Sequence, residues 1–143
     1  MDNYHDPHAE IVEVGFFPLE KALVNTVIGQ SEISITLVNE NPVFVRPQSA
    51  SFLEKRDVSG NWVEQEFDAV FTDDASASIQ GWREKVDVDC LVAIRYTNGK
   101  TIVAGTDMAP VRCEVEHSGS PRTTHISFKR NSPEFAKVLQ SLS

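Results

Sequence analysis

Cysteine is scarce in this chain. Cys90 and Cys113 are the two present among 143 residues, too few for a disulfide framework and too far apart for a CxxC redox or zinc half-site. Both fall on the apolar phase of alternating segments, which predicts buried free thiols acting as small hydrophobes; a disulfide between neighbouring strands is the alternative. Long apolar runs are missing too, so nothing reaches the roughly 18 residues that mark a membrane-crossing helix. The first residues, MDNYHDPHAEIVEV, put acidic groups and no Lys or Arg ahead of an apolar stretch, unlike a secretory leader. Positive charge is also short: 13 Lys and Arg face 21 Asp and Glu, for a formal net charge of −8. Such a surface repels a phosphate backbone. The densest basic pair, Lys129 and Arg130, lacks repeated aromatic platforms and reads as a solvated strand end. Neither nucleic acid nor a membrane is expected as a partner.

Catalytic and ligand-binding signatures are equally sparse. Gly99-Lys100-Thr101 matches the end of a phosphate-binding P-loop, but the position where that motif needs its first glycine holds Ile94, and β-branched residues follow instead of a helix N-terminus. The tripeptide is read as part of a hairpin turn. DVSGNW, residues 57–62, has its glycine misplaced for a calcium loop and lacks the closing glutamate. His5, Asp6 and His8 sit beside Pro7 at the terminus, where fraying is the rule, and residues 1–9 are expected to be disordered. His117 and His125 flank a turn and could face each other across a hairpin, with no third metal ligand in view. The carboxylate pairs Asp73/Asp74 and Asp87/Asp89 lie in a polar loop and on the polar face of a strand, where neither partner is desolvated for acid–base work. There is no GxSxG or HExxH. No catalytic residue, metal site or cofactor is predicted, and a non-enzymatic role is expected.

What the chain does contain is alternation. In EKVDVDCLVAIRY, residues 84–96, Val86, Val88, Cys90, Val92, Ile94 and Tyr96 share one face and Asp87, Asp89 and Arg95 the other, the pattern of a half-buried strand. Asn98-Gly99 then suits a type I′ turn, with positive φ at both residues, and KTIVAGT follows as the next strand. Val111, Cys113 and Val115, then Ile126 and Phe128, continue the pattern, so the second half is predicted to be a four-stranded meander. In the first half, SEISITLVN is a strand, and residues 49–72 form a hairpin turning at residues 57–61 with Gly60 at positive φ. Pro42 and Pro47 flank VFVR, which predicts an edge strand. EIVEVGFFPLEKAL begins like a strand and could end as a short helix, with Gly15 and Pro18 breaking both patterns. At the C-terminus Ser132 suits an N-cap, Pro133 a first helical position and Glu134 the helix dipole, while Phe135, Val138, Leu139 and Leu142 recur at i, i+3, i+4, i+7. A short C-terminal helix is expected there. The polar run 73–78 is a loop inside one domain, because each half alone is small for a core. The expected architecture is a single mainly-β domain over residues 1–143, an antiparallel β-sandwich or barrel of seven to nine strands with that helix packed on it.

Aromatic residues near predicted loops and strand ends are the candidates for interaction: Phe44 and Arg46 on the edge segment, and Trp62 and Trp82 beside turns. Residues 91–130, LVAIRYTNGKTIVAGTDMAPVRCEVEHSGSPRTTHISFKR, give a strand, an Asn-Gly turn, a strand ending in Gly-Thr, a proline-introduced strand, and a Ser/Gly loop leading to an Ile-Ser-Phe strand. This pattern resembles small virion-structure proteins of phages and prophages of gut Bacteroidetes. The resemblance implies a soluble β-rich subunit of a tail, neck or connector, made in the host cytoplasm, carried in the virion, and partnered by itself or by other virion proteins. The rival expectation is a small-ligand or carbohydrate-binding β-sandwich module.

Overall fold

Residues 63–72, VEQEFDAVFT, alternate without interruption, and in the structure they form a ten-residue strand whose side chains point by turns into the core and out of it. A computed structural model describes residues 10–27, 29–38, 41–72, 88–118 and 123–142. Within them lie eleven strands: β1 (Ile11–Pro18), β2 (Ala22–Thr26), β3 (Glu32–Leu37), β4 (Phe44–Val45), β5 (Ser49–Arg56), β6 (Val63–Thr72), β7 (Cys90–Tyr96), β8 (Thr101–Ala104), β9 (Glu114–Ser118), β10 (Thr123–Ser132) and β11 (Lys137–Leu142). Gly15 does not break the strand as expected, since β1 runs through it to Pro18 with Gly15 paired to Ala93, and a 3-10 turn, Leu19–Lys21, follows. Among the described residues no helix is long and apolar enough to cross a membrane.

The strands make two packed sheets, and neither closes into a barrel. The larger has the order β2-β3-β11-β8-β7-β1-β4, the smaller β5-β6-β10-β9. Pairing is antiparallel except between β11 and β3. Between the sheets lies one core, in which Phe16 of β1 meets Phe67 and Phe71 of β6 edge to face and Phe67 stacks on Phe128 of β10 at 5.5 Å. A second apolar cluster lies on the opposite face of the larger sheet: Phe17, Leu91, Ala93 and Val103 pack with Ile33, Ile35 and Leu37 of β3. The larger sheet therefore curls, bringing β3 over the back of β7 and β8.

Local chemistry explains the connections. Gly60, at φ +77, and the Asp57 carboxylate shape the β5–β6 turn, where Asp57 Oδ1 accepts from Gly60 N–H and from Ser59 Oγ, both at 2.8 Å. Those hydrogen bonds, the Ser59 one foremost, hold the Asp57 carboxyl below the usual carboxylate range. β4 is an edge strand as its prolines predict, seated on β1 through the pairs Val14↔Val45 and Gly15↔Phe44.

The eleven strands exceed the expected seven to nine, and three further expectations fail. The predicted C-terminal helix is a turn followed by strand β11, since Ser132 ends β10 and its hydroxyl donates to Glu134 O at 2.7 Å. Register explains the false helical spacing: Leu139↔Ile33 is followed by Ser141↔Ser34 and Leu142↔Ile35. Gln140 is thus an extra residue in a β-bulge, which puts Leu139 and Leu142 on one face although they are three apart. The four-stranded meander is instead two hairpins in different sheets, β7–β8 in the larger and β9–β10 in the smaller, with residues 111–113 crossing between them. Third, the Asn98-Gly99 turn has a three-residue loop, closed by Tyr96 N–H donating to Lys100 O and Gly99 N–H to Tyr96 O. Gly99 at φ +87 follows the turn as its left-handed residue, the usual geometry of a three-residue hairpin.

Candidate functional site at the loop end of the sandwich

Three connections converge on the corner between β10 and β11, residues 132–137. The β2–β3 turn reaches it because Gly29 N–H donates to Glu134 Oε1 at 2.7 Å and Val138 N–H donates to Ser31 O at 2.7 Å. From the other side, the β5–β6 loop leaves β6 at the Ser132↔Val63 pair, and the Arg56 guanidinium lies over the Phe135 ring at 5.2 Å. The connection after β8 is tied down by Arg130, whose Nη1 donates to Ala109 O at 2.9 Å and Pro110 O at 2.8 Å.

Buried polar groups brace this corner. Lys137 is almost wholly enclosed, and its ammonium donates to Val27 O, to Gln30 O and to the Glu134 carboxylate. Arg130 Nε donates to Gln65 Oε1 at 2.9 Å, Gln65 Nε2 donates to Glu54 Oε2 at 2.8 Å, and that same oxygen accepts from Ala136 N–H at 2.7 Å. Glu54 Oε1 is enclosed without a hydrogen-bonding partner. Burial lowers the Arg130 pKa, and the Glu54 carboxylate opposes that shift. The solvated strand end expected for Lys129 and Arg130 holds for Lys129, which is exposed, but not for Arg130, which is half-buried and hydrogen-bonded. The missed signal was phase: Arg130 follows Thr124, Ile126 and Phe128 on the inward positions of β10, and Gln65 stands between Val63 and Phe67 on those of β6. A polar residue on the buried phase requires partners.

On this braced base the loops carry apolar side chains outward. Val27 is 60% exposed, Val58 108%, Trp62 47% and Met108 79%. Trp62 is therefore about half open to solvent on the β5–β6 loop. Phe44 is more committed to the interior, its ring edge-on to Phe17 at 5.8 Å and beneath the Arg95 guanidinium at 4.1 Å. Val43 and Arg46 are what that edge presents to solvent. Trp82 lies outside the described residues, as do His5, His8, Asp73, Asp74 and Asp87.

The remaining polar candidates do not assemble. His117 pairs across the hairpin with Thr124 and His125 with Glu116, so the two imidazoles occupy opposite faces. Their contacts are separate: His117 Nδ1 with Thr124 Oγ1 at 3.0 Å, and His125 Nε2 with Asp68 Oδ1 at 2.8 Å. Among the described residues no group of three or more His, Cys, Asp or Glu is placed to hold a metal ion. The concave outer surface over β5, β6 and β10 is lined by Leu53, Lys55, Glu64, Glu66 and Lys129 and has no aromatic platform for a sugar. Comparison of the chain with protein-family models, with curated proteins and with solved structures yields no match in any of the three.

Proposed function

We propose that the protein is a non-enzymatic assembly subunit of a phage tail, neck or connector, and that it docks on neighbouring subunits through the loop end of the sandwich. One observation carries the docking: Val27, Val58, Trp62 and Met108 project from three connections held to one corner. Large apolar and aromatic side chains on a rigid base lose little conformational entropy on association, and they supply most of the energy of protein contacts. The resemblance of residues 91–130 to virion-structure proteins supplies the particle. The partner is a further copy of this chain or another virion protein, and Arg46 with Val43 on the β4 edge, toward the Val70 end of β6, is a separate candidate contact.

Association is read by light scattering across a concentration series, alone and with co-expressed neighbouring gene products. Replacing Trp62→Glu together with Met108→Glu should weaken assembly by at least about tenfold while leaving the melting midpoint nearly unchanged, because both side chains are exposed. A wild type that stays monomeric and captures no such product overturns the reading. A saturable change in Trp62 fluorescence on adding oligosaccharides, in a Trp82→Phe background, would put the ligand-module reading in its place.

A further inference from the structure

The two cysteines stand where the chain passes from one sheet to the other. Cys90 opens β7 in the larger sheet, and its backbone makes a reciprocal pair with Val111, N–H to O at 2.8 Å in each direction. Cys113 follows two residues later on the same face, immediately before β9 begins in the smaller sheet at Glu114. Both side chains lie in the inter-sheet core, 0% and 1% exposed, and both are free thiols. Cys113 lies two residues beyond Val111, the partner of Cys90, and both side chains pack in the same core cluster, so the two thiols are diagonal neighbours on one face. Apart from the Val111 bridge, residues 111–113 belong to no strand, so beyond that pair and the Arg112–Asp89 ion pair no ladder hydrogen bonds hold the crossing.

We propose that Cys90 and Cys113 form a redox-responsive staple, a dithiol in a reducing compartment that closes to a disulfide joining the two sheets in an oxidising one. The oxidant is a small-molecule disulfide of the glutathione class. One cysteine thiolate attacks a sulfur of glutathione disulfide and expels one glutathione thiolate. The second cysteine then attacks the resulting mixed disulfide at the protein sulfur and expels the other. In sum two protein thiols and one glutathione disulfide become one protein disulfide and two glutathione thiols, so electrons and protons balance. Burial sets the rate, since the thiols meet the oxidant only when the crossing segment opens. The neighbouring Cys90 thiol and burial also push the Cys113 thiol up, keeping thiolate scarce, so closure is slow at neutral pH and accelerates as pH rises. This inference is independent of the assembly reading.

The test incubates the native full chain with glutathione disulfide, then unfolds it in guanidinium with N-ethylmaleimide and measures the intact mass. Expected are a monomer lighter by two hydrogens, no maleimide on either cysteine, and a melting midpoint raised by about 5–10 °C. Cys90→Ala and Cys113→Ala should each abolish the mass change and the gain in midpoint. If either variant fails to fold, the wild-type mass and melt still decide. Maleimide on both cysteines after prolonged oxidation overturns the proposal, as does cross-linking found solely in covalent dimers, or a cross-linked monomer that melts no higher than the dithiol form.

Discussion

Strand β6 of the smaller sheet and strand β7 of the larger sheet are both rich in apolar residues, but they meet different surroundings. In β6 the outward positions Glu64, Glu66 and Asp68 are exposed while the inward ones are buried. In β7 five consecutive residues, Cys90, Leu91, Val92, Ala93 and Ile94, have no accessible surface. The smaller sheet is covered on one face, so its strands alternate cleanly. β7 lies within the curl of the larger sheet, where Cys90, Val92 and Ile94 meet the other sheet and Leu91 and Ala93 meet β3. A strand covered on both faces reads as a nearly continuous apolar run. Leu91 and Leu53 put that difference to the hardest test. Leu53 points outward from β5 and is 64% exposed. Leu91→Ala should cost about 2–5 kcal/mol through lost transfer energy and the cavity left behind, whereas Leu53→Ala should stay within about 0.5 kcal/mol. Denaturant unfolding of both variants measures the contrast, and equal costs would mean that the back of the larger sheet is no core.

The same contrast accounts for what could be read from sequence. β5, β6 and their turn were legible because alternation and turn chemistry agreed, and β4 because two prolines confined its pairing. In β7 the inward phase was found, but Leu91 and Ala93 went unremarked, since their burial depends on β3, a distant segment that a local pattern cannot locate. The C-terminal strand was lost to a conflict between local signals. Ser132-Pro133-Glu134 carries genuine capping chemistry, and the bulge at Gln140 gives Leu139 and Leu142 a three-residue spacing that a helix would also produce. Long-range pairing with β3 and β8 prevailed over both. At the loop end the place of Trp62 beside a turn was legible. Arg130 and Lys137 were not, because charged residues are exposed so often that only their position in the alternation could have drawn attention to them.

A smaller effect separates two bracing cations, one from each sheet, Lys137 buried and Arg130 half-buried. Arg130 anchors the connection after β8 from within the smaller sheet, and Lys137 anchors the β2–β3 turn from within the larger. Removing Lys137 leaves the carbonyls of Val27 and Gln30 without this donor, a loss of about 1–3 kcal/mol. Lys137→Ala should therefore destabilise by that amount in urea and speed amide exchange at Gly29, whose bond to Glu134 depends on the same corner. Lys129→Ala, on the exposed side of β10, should do neither. If Lys137→Ala leaves both measurements unchanged, the loops do not share a rigid base, and the docking surface loses its preorganisation.

The effect that reports most directly on contact between the sheets belongs to Tyr96. Its phenol ends β7 of the larger sheet and packs against the inter-sheet core. Burial first, and then the Glu54 carboxylate of the smaller sheet, push its pKa up to about 12. An unfolded tyrosine titrates near 10, so the folded state favours the neutral phenol. The sign follows from linkage: this stabilisation is fully present below about pH 10 and is lost as pH rises through about 12. With Tyr4→Phe removing the other tyrosine, tyrosinate absorbance should show one midpoint near 12 in the native protein and one near 10 after unfolding. Glu54→Gln should lower the native midpoint part of the way, because desolvation remains when the charge is gone. A native midpoint at 10 would place the phenol in water and part the two sheets at that edge, whereas a midpoint unmoved by Glu54→Gln would make burial in the larger sheet the whole cause.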